Sequence, residues 1–179
     1  MKLNIEHIKL DSRFWVKINE LAKEAFPPEE YLAPEKLVKM AEDENFNFLV
    51  LTEDEKFIGF MAVQIYNNLS YLFFLAIASD VRSKGYGSKA IETLKEQYPN
   101  KNQVVDFEMI DETSINNQQR LKRKDFYLRN GYKETGLFLS YYGVDYEVMC
   151  MNDNFCEDEF KELMKNIQVE GFQPRYFHK

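Results

Sequence analysis

The chain has 179 residues, enough for one domain of ordinary size with a real hydrophobic core. Its formal net charge of -7 argues against non-specific nucleic-acid binding and favours neutral or cationic partners. With two cysteines (Cys150, Cys156), no CxxC, and two histidines (His7, His178) at opposite ends, no zinc or other metal site is expected.

The thiols are expected to be free, in a reducing compartment. The start, Met1-Lys2-Leu3-Asn4-Ile5-Glu6, lacks an apolar leader core. No run approaches the ~20 apolar residues of a membrane span, so a soluble cytoplasmic chain with no membrane partner is expected. The 15 Phe and 11 Tyr point to a largely aromatic core.

Residues 3–8 read as a short strand. Asp11 or Ser12 then caps a helix with Phe14, Ile18, Leu21 and Ala25 at helical spacing. Phe26-Pro27-Pro28 stops it, because proline lacks the N–H and clashes with the preceding turn. A second helix starts near Pro34 with Leu37, Met40 and Ala41 on one face. Strand-like runs at 46–51, 57–66 and 71–78 have short polar connections, as in an antiparallel meander. A helix over 88–98, a strand over 104–110 and a charged helix over 116–130 follow, the last ending at Gly131. Runs 132–139 and 145–151 look like a closing strand pair. A C-terminal helix with Phe160, Leu163, Met164 and Ile167 on one face precedes a tail from Gly171. No linker or repeat divides the chain. The pattern predicts one α+β domain with a mixed, mostly antiparallel central sheet flanked by helices.

The loop Arg82-Ser83-Lys84-Gly85-Tyr86-Gly87-Ser88 lies between a strand and a helix, where backbone N–H groups could hold a phosphate. Gly85-Tyr86-Gly87-Ser88-Lys89-Ala90 also matches the dinucleotide pattern GxGxxA, with Asp106 and Glu108 roughly 20 residues on. Residues 79–84 separate that loop from its strand, however, and the preceding segments form a meander rather than βαβ units. A nicotinamide-dependent oxidoreductase is therefore the distant alternative.

The stretch from Leu75 through Ser88 resembles the central motif of the GNAT superfamily of acyl-CoA-dependent acyltransferases, an [RQ]xxGx[GA] loop filled here by Arg82, Gly85 and Gly87. Asp125-Phe126-Tyr127-Leu128-Arg129-Asn130-Gly131-Tyr132 resembles the family's second signature, and the order of elements agrees over about residues 3–151. Ser79 stands where the family often has Pro, Ser83 where it often has Gly, and Arg120 where many members carry Asn; Asn116 or Asn117 could replace that Asn. The resemblance implies a GNAT-like domain over residues 1–151. Residues 152–179 would form an extra C-terminal helix and tail packed on it, with room for a homodimer.

It also implies an N-acetyltransferase that uses acetyl-CoA (coenzyme A) on a primary amine of a small molecule or peptide. The loop amides from Ser83 to Ser88 would hold the pyrophosphate, Arg82 and Lys84 would add charge, and the backbone of Leu75, Ala76 and Ile77 would pair with the pantetheine arm in a slot left by the 104–110 strand. Tyr127 is the candidate general acid, since a thiol of pKa ~8.5 leaves more readily when a phenol of pKa ~10 donates to it. Glu108, alternating with Val105, Phe107 and Met109, is the candidate base. Glu24, Glu29, Glu30 and Glu35 border the acceptor site in proteins of this resemblance, with Glu29 and Glu30 as candidate substrate-binding residues for a cationic amine. The basic residues Arg120, Lys122, Arg123, Lys124 and Arg129 are expected on a solvated helix face rather than a nucleic-acid patch. A non-catalytic coenzyme A-binding or regulatory module would keep the same loop, and is the nearer alternative.

Overall fold

Apolar runs with little alternation become strands covered on both faces. The computed structural model describes residues 2–179. The strands are Asn4–His7 (β1), Phe46–Glu53 (β2), Lys56–Tyr66 (β3), Leu69–Ile77 (β4), Asn102–Glu108 (β5), Lys133–Tyr141 (β6), Val144–Cys150 (β7) and Arg175–His178 (β8). The helices are Trp15–Ala25 (α1), Pro34–Met40 (α2), Tyr86–Gln97 (α3), Asn117–Arg129 (α4) and Glu157–Lys165 (α5). The fold is α+β, with hydrogen-bonded strand order β1-β2-β3-β4-β5-β7-β6-β8. β4 and β5 are parallel, pairing Leu69–Tyr71 with Asn102–Val104. The β1–β2, β2–β3, β5–β7, β6–β7 and β6–β8 ladders are antiparallel.

The residues group into two compact units, one holding the chain through Ile65 with Leu72–Pro99, the other Tyr66–Tyr71 with Asn100–Lys179. In the first, α1 buries Ile18, Leu21 and Ala22, and α2 buries Leu37 and Met40. Ser12 Oγ accepts the Phe14 N–H just before α1 begins, so the expected cap sits in the turn ahead of the helix. Phe26, beyond the end of α1, packs its ring edge-on against Phe74 at 4.7 Å. At Gly59 the backbones of β3 and β4 meet so closely that a Cβ would lie 2.1 Å from the Ala76 carbonyl oxygen. Only glycine permits that approach.

The second unit is built on buried Val104, Val105 and Phe107 of β5, Val148 and Met149 of β7, and Leu137 and Leu139 of β6. The acidic first turn of α5 suits its N-terminus, and the helix buries Phe160, Leu163 and Met164. Phe160 lies edge-on to Tyr71 at 5.7 Å.

The expected tail is a correction to the sequence reading. After Gly171 the chain forms β8, which pairs Leu139 with Tyr176 and Phe138 with Phe177. Four residues are too short to show a period of their own. β8 is held by the ladder to β6 and by Phe177 stacking on Phe138 at 5.6 Å.

Candidate active site

The glycine loop is shaped by left-handed backbone. After β4 a single 3-10 turn, Ser79–Val81, reverses the chain. Ser83 (φ 61°) and Gly85 (φ 87°) then take positive φ, and Gly85 is the N-cap of α3. A glycine adopts that geometry at little cost. No side chain caps α3, and its first internal bond runs from the Lys89 N–H to the Gly85 carbonyl at 3.1 Å. The amides of Tyr86, Gly87 and Ser88 therefore lie at the positive end of the helix with no capping side chain. This is the chemistry of a phosphate seat. The Tyr86 hydroxyl donates to Glu53 on β2, tying the loop to the sheet.

Arg82 folds back on this unit. Its Nε donates to the Ile77 carbonyl at 2.9 Å, and its guanidinium pairs with Glu24 at 2.9 Å. Lys84 Nζ donates to the Asp80 carbonyl at 3.0 Å. Along β4, Leu75 and Ile77 are half-buried while Phe74 and Ala76 are buried, so one side of this strand stays partly open. Glu29 is exposed and Glu30 half-buried, in a turn where the Glu30 and Tyr31 amides both bond to the Pro27 carbonyl.

In the second unit, Tyr127 faces β5 from the last turns of α4. Its ring stacks on Phe107 at 5.5 Å and meets Tyr132 edge-on at 5.2 Å. Burial pushes its phenol up to about 12; Arg123 pulls it down and Asp106 pushes it further up. The hydroxyl thus keeps its proton at neutral pH. Among the described residues it finds no hydrogen-bond partner, and it is not among the fully enclosed polar atoms, of which only Ser70 Oγ lacks a partner.

Glu108 is 11% exposed and ringed by donors. Arg120 pairs with its Oε2 at 2.8 Å, Arg123 with its Oε1 at 3.7 Å, and Asn116 Nδ2 donates at 3.2 Å. Arg120 also donates to the Met109 carbonyl at 2.8 Å and to Asn116 Oδ1 at 2.9 Å, fastening the β5–α4 connection. Asn117 is equally engaged, its Oδ1 accepting the Asp111 N–H at 2.9 Å. Of the expected solvated basic face, Lys122, Arg123 and Arg129 are exposed, and two members are corrected. Arg120 is 15% exposed and Lys124 18%, the latter pairing with Glu134 and Glu147. They were misread because α4 has few apolar residues, so its inward face is marked by paired charges instead. Arg123, which touches Glu108 and the electrostatics of Tyr127, was missed; its spacing of four from Tyr127 was the available signal.

Comparison with known proteins bears on the fold and the family. No curated protein matches the sequence. Among solved structures, a Bacteroides thetaiotaomicron protein assigned as a GNAT-family acetyltransferase superposes with a TM-score of 0.70 at 22% identity, covering 95% of this chain and 99% of its own. The Escherichia coli ribosomal-protein-S18-alanine N-acetyltransferase has a TM-score of 0.60 at 15% identity, over 86% and 99%. An aminoglycoside 6'-N-acetyltransferase complexed with coenzyme A has 0.62 at 14%, over 82% and 95%. At these identities the likeness shows the shared fold. The model of the acetyltransferase (GNAT) domain matches residues 44–134, more than half of the sequence and including the whole glycine loop; on that match the chain belongs to the GNAT acetyltransferase family.

Proposed function

We propose that this protein transfers an acetyl group from acetyl-CoA to a primary amine of a small molecule or peptide. The observation that carries the reading is the α3 N-terminus, uncapped and preceded by left-handed backbone at Ser83 and Gly85. Those amides fit a diphosphate, and the half-open side of β4 at Leu75 and Ile77 fits an apolar arm beside backbone hydrogen-bonding groups. A relative in fold solved with coenzyme A supports the choice of carrier.

Acetyl-CoA, when bound, supplies the thioester whose C–S bond breaks as the amine forms a C–N bond. The chain supplies the proton handling. Tyr127 Oη, protonated and without an internal partner, gives its proton to the departing sulfur and regains one from the ammonium side through solvent. Glu108 accepts the proton shed by the amine. Its oxygens already meet Arg120, Arg123 and Asn116, so an incoming ammonium competes with two guanidiniums for them. Glu29 and Glu30 draw a cationic acceptor by charge.

Calorimetry with acetyl-CoA, followed by a thiol-release screen over an amine panel, tests the proposal. Binding and amine-dependent thiol release are expected. No complex with acetyl-CoA sinks the reading. Binding without turnover on any amine favours a non-catalytic module. Loss of acceptor affinity in Glu29→Gln/Glu30→Gln is expected once an acceptor is known, and unchanged kinetics would remove those two residues.

A further inference from the structure

The second unit contains a carboxylate in an aromatic setting that the chemistry above does not use. Asp106 and Glu108 share one face of β5, opposite Val148 and Tyr146 of β7. The two carboxylates are treated differently. Glu108 is met by guanidiniums, whereas Asp106 is met by phenols: Tyr71 donates to its Oδ1 at 2.7 Å and Tyr141 to its Oδ2 at 3.1 Å. The Tyr141 and Tyr146 rings stack at 4.1 Å, 7° from parallel, and Phe172 closes on Tyr141 at 5.0 Å. Tyr176 lies close enough for Asp106 to add to the effect of burial in holding its phenol up, at about 12. Asp106, Tyr141, Phe172 and Tyr176 all stay partly exposed.

A partly open carboxylate edged by aromatic faces has a defined ligand preference. It repels anions, gives little to neutral apolar groups, and offers an ammonium both a charge-assisted hydrogen bond and ring quadrupoles. Cation–ring contact already occurs at one of these tyrosines. The Lys161 ammonium lies 5.2 Å over the Tyr176 ring.

We propose that Asp106 with Tyr141, Tyr146 and Tyr176 forms a subsite for an alkylammonium group, which selects acceptors carrying a second positive centre beyond the amine that is acetylated. The selection of acceptors rests on the acetyltransferase reading; the binding of a cation does not.

The test separates the two. Full-length protein without acetyl-CoA is titrated calorimetrically with 1,4-diaminobutane and, as a neutral control, 1-butanol. The diamine is expected to bind and the alcohol not, with Asp106→Asn weakening the diamine about tenfold and Tyr141→Leu severalfold. Asparagine keeps an acceptor for the Tyr71 hydroxyl. Should Asp106→Asn still unfold, ring-carbon NMR of tyrosine-labelled wild type decides, since diamine shifts must centre on Tyr141, Tyr146 and Tyr176. Absence of diamine binding at tens of millimolar, equal affinity in Asp106→Asn, or shifts confined to other tyrosines overturns the subsite. In turnover, Asp106→Asn is expected to raise KM for 1,4-diaminobutane and leave that for n-butylamine unchanged. Diamine binding without acetyl-CoA binding would keep the subsite and sink the transferase.

Discussion

The glycine loop ahead of α3 and the inward side of α4 both set cations beside residues the proposed chemistry needs, and they are built in opposite ways. Around the loop the charges are exposed: Arg82 and Glu24 are 45% and 48% open to solvent, and the proposed phosphate donors are backbone amides. On α4 the charges are enclosed. Arg120 and Glu108 are 15% and 11% exposed, and each polar atom is spoken for by another side chain or a carbonyl. A ligand seat must leave donors unsatisfied, whereas a fastening must satisfy them. On the proposed reading, the same residue types serve affinity in one place and stability in the other.

Removing Arg120 should break this contrast most visibly. Arg120→Met leaves Glu108 with the longer Arg123 contact as its one remaining ion pair beside the neutral Asn116 amide, and strips the Met109 carbonyl of its donor. A stability loss of about 3 kcal/mol is expected from uncompensated buried charge, read by urea unfolding. A loss below about 1 kcal/mol would place the pair with ordinary surface bridges.

Next in size is Tyr127→Phe, which removes the unpartnered hydroxyl while keeping the stack on Phe107. kcat should fall about a hundredfold, with acetyl-CoA affinity unchanged. The same variant exposes a pH effect. The folded phenol, at about 12, stands above its unfolded value near ~10, so its contribution to stability is complete below pH ~10. It is lost as pH rises toward 12, because only the unfolded state releases the proton freely. Urea midpoints should drop less between pH ~10 and ~11 in Tyr127→Phe than in wild type, by up to about 1.4 kcal/mol per pH unit. Parallel slopes would mean that Tyr127 is wetter than its packing implies.

Gly85→Ala sharpens the loop side. A methyl there meets nothing within 4 Å, so any cost is conformational, from holding alanine at φ 87°. About 1–2 kcal/mol of stability is expected to go, together with weaker acetyl-CoA binding as the loop relaxes. A change in stability with full affinity would separate the loop from the phosphate seat.

How much of this was legible follows from the same contrast. Gly85 and Gly87, the apolar strands and the stops at Phe26-Pro27-Pro28 and Gly131 are local signals, and they place the fold's elements within a few residues. Enclosed charge is not local. Arg120 has the same chemistry whether it points to water or to Glu108, and only the approach of β5 to α4 decides. β8 was hidden for a related reason, since its four residues become a strand only through Leu137–Ser140 of β6.

The smallest effect belongs to Arg82. Its pair with Glu24 is half solvated, so Arg82→Met should cost under about 1 kcal/mol, in contrast to Arg120→Met. Its influence should fall on binding. Glu24 now draws the guanidinium to itself, and with Arg82 gone the carboxylate would face the loop uncompensated. Acetyl-CoA affinity is therefore expected to drop severalfold and to lose part of its salt dependence. Glu24→Gln should act in the opposite sense, freeing the guanidinium and tightening binding most at low ionic strength. Calorimetry at two salt concentrations reads both variants. If Glu24→Gln instead weakened binding, the ion pair would be a fastening like the one on α4, and the two regions would no longer differ in kind.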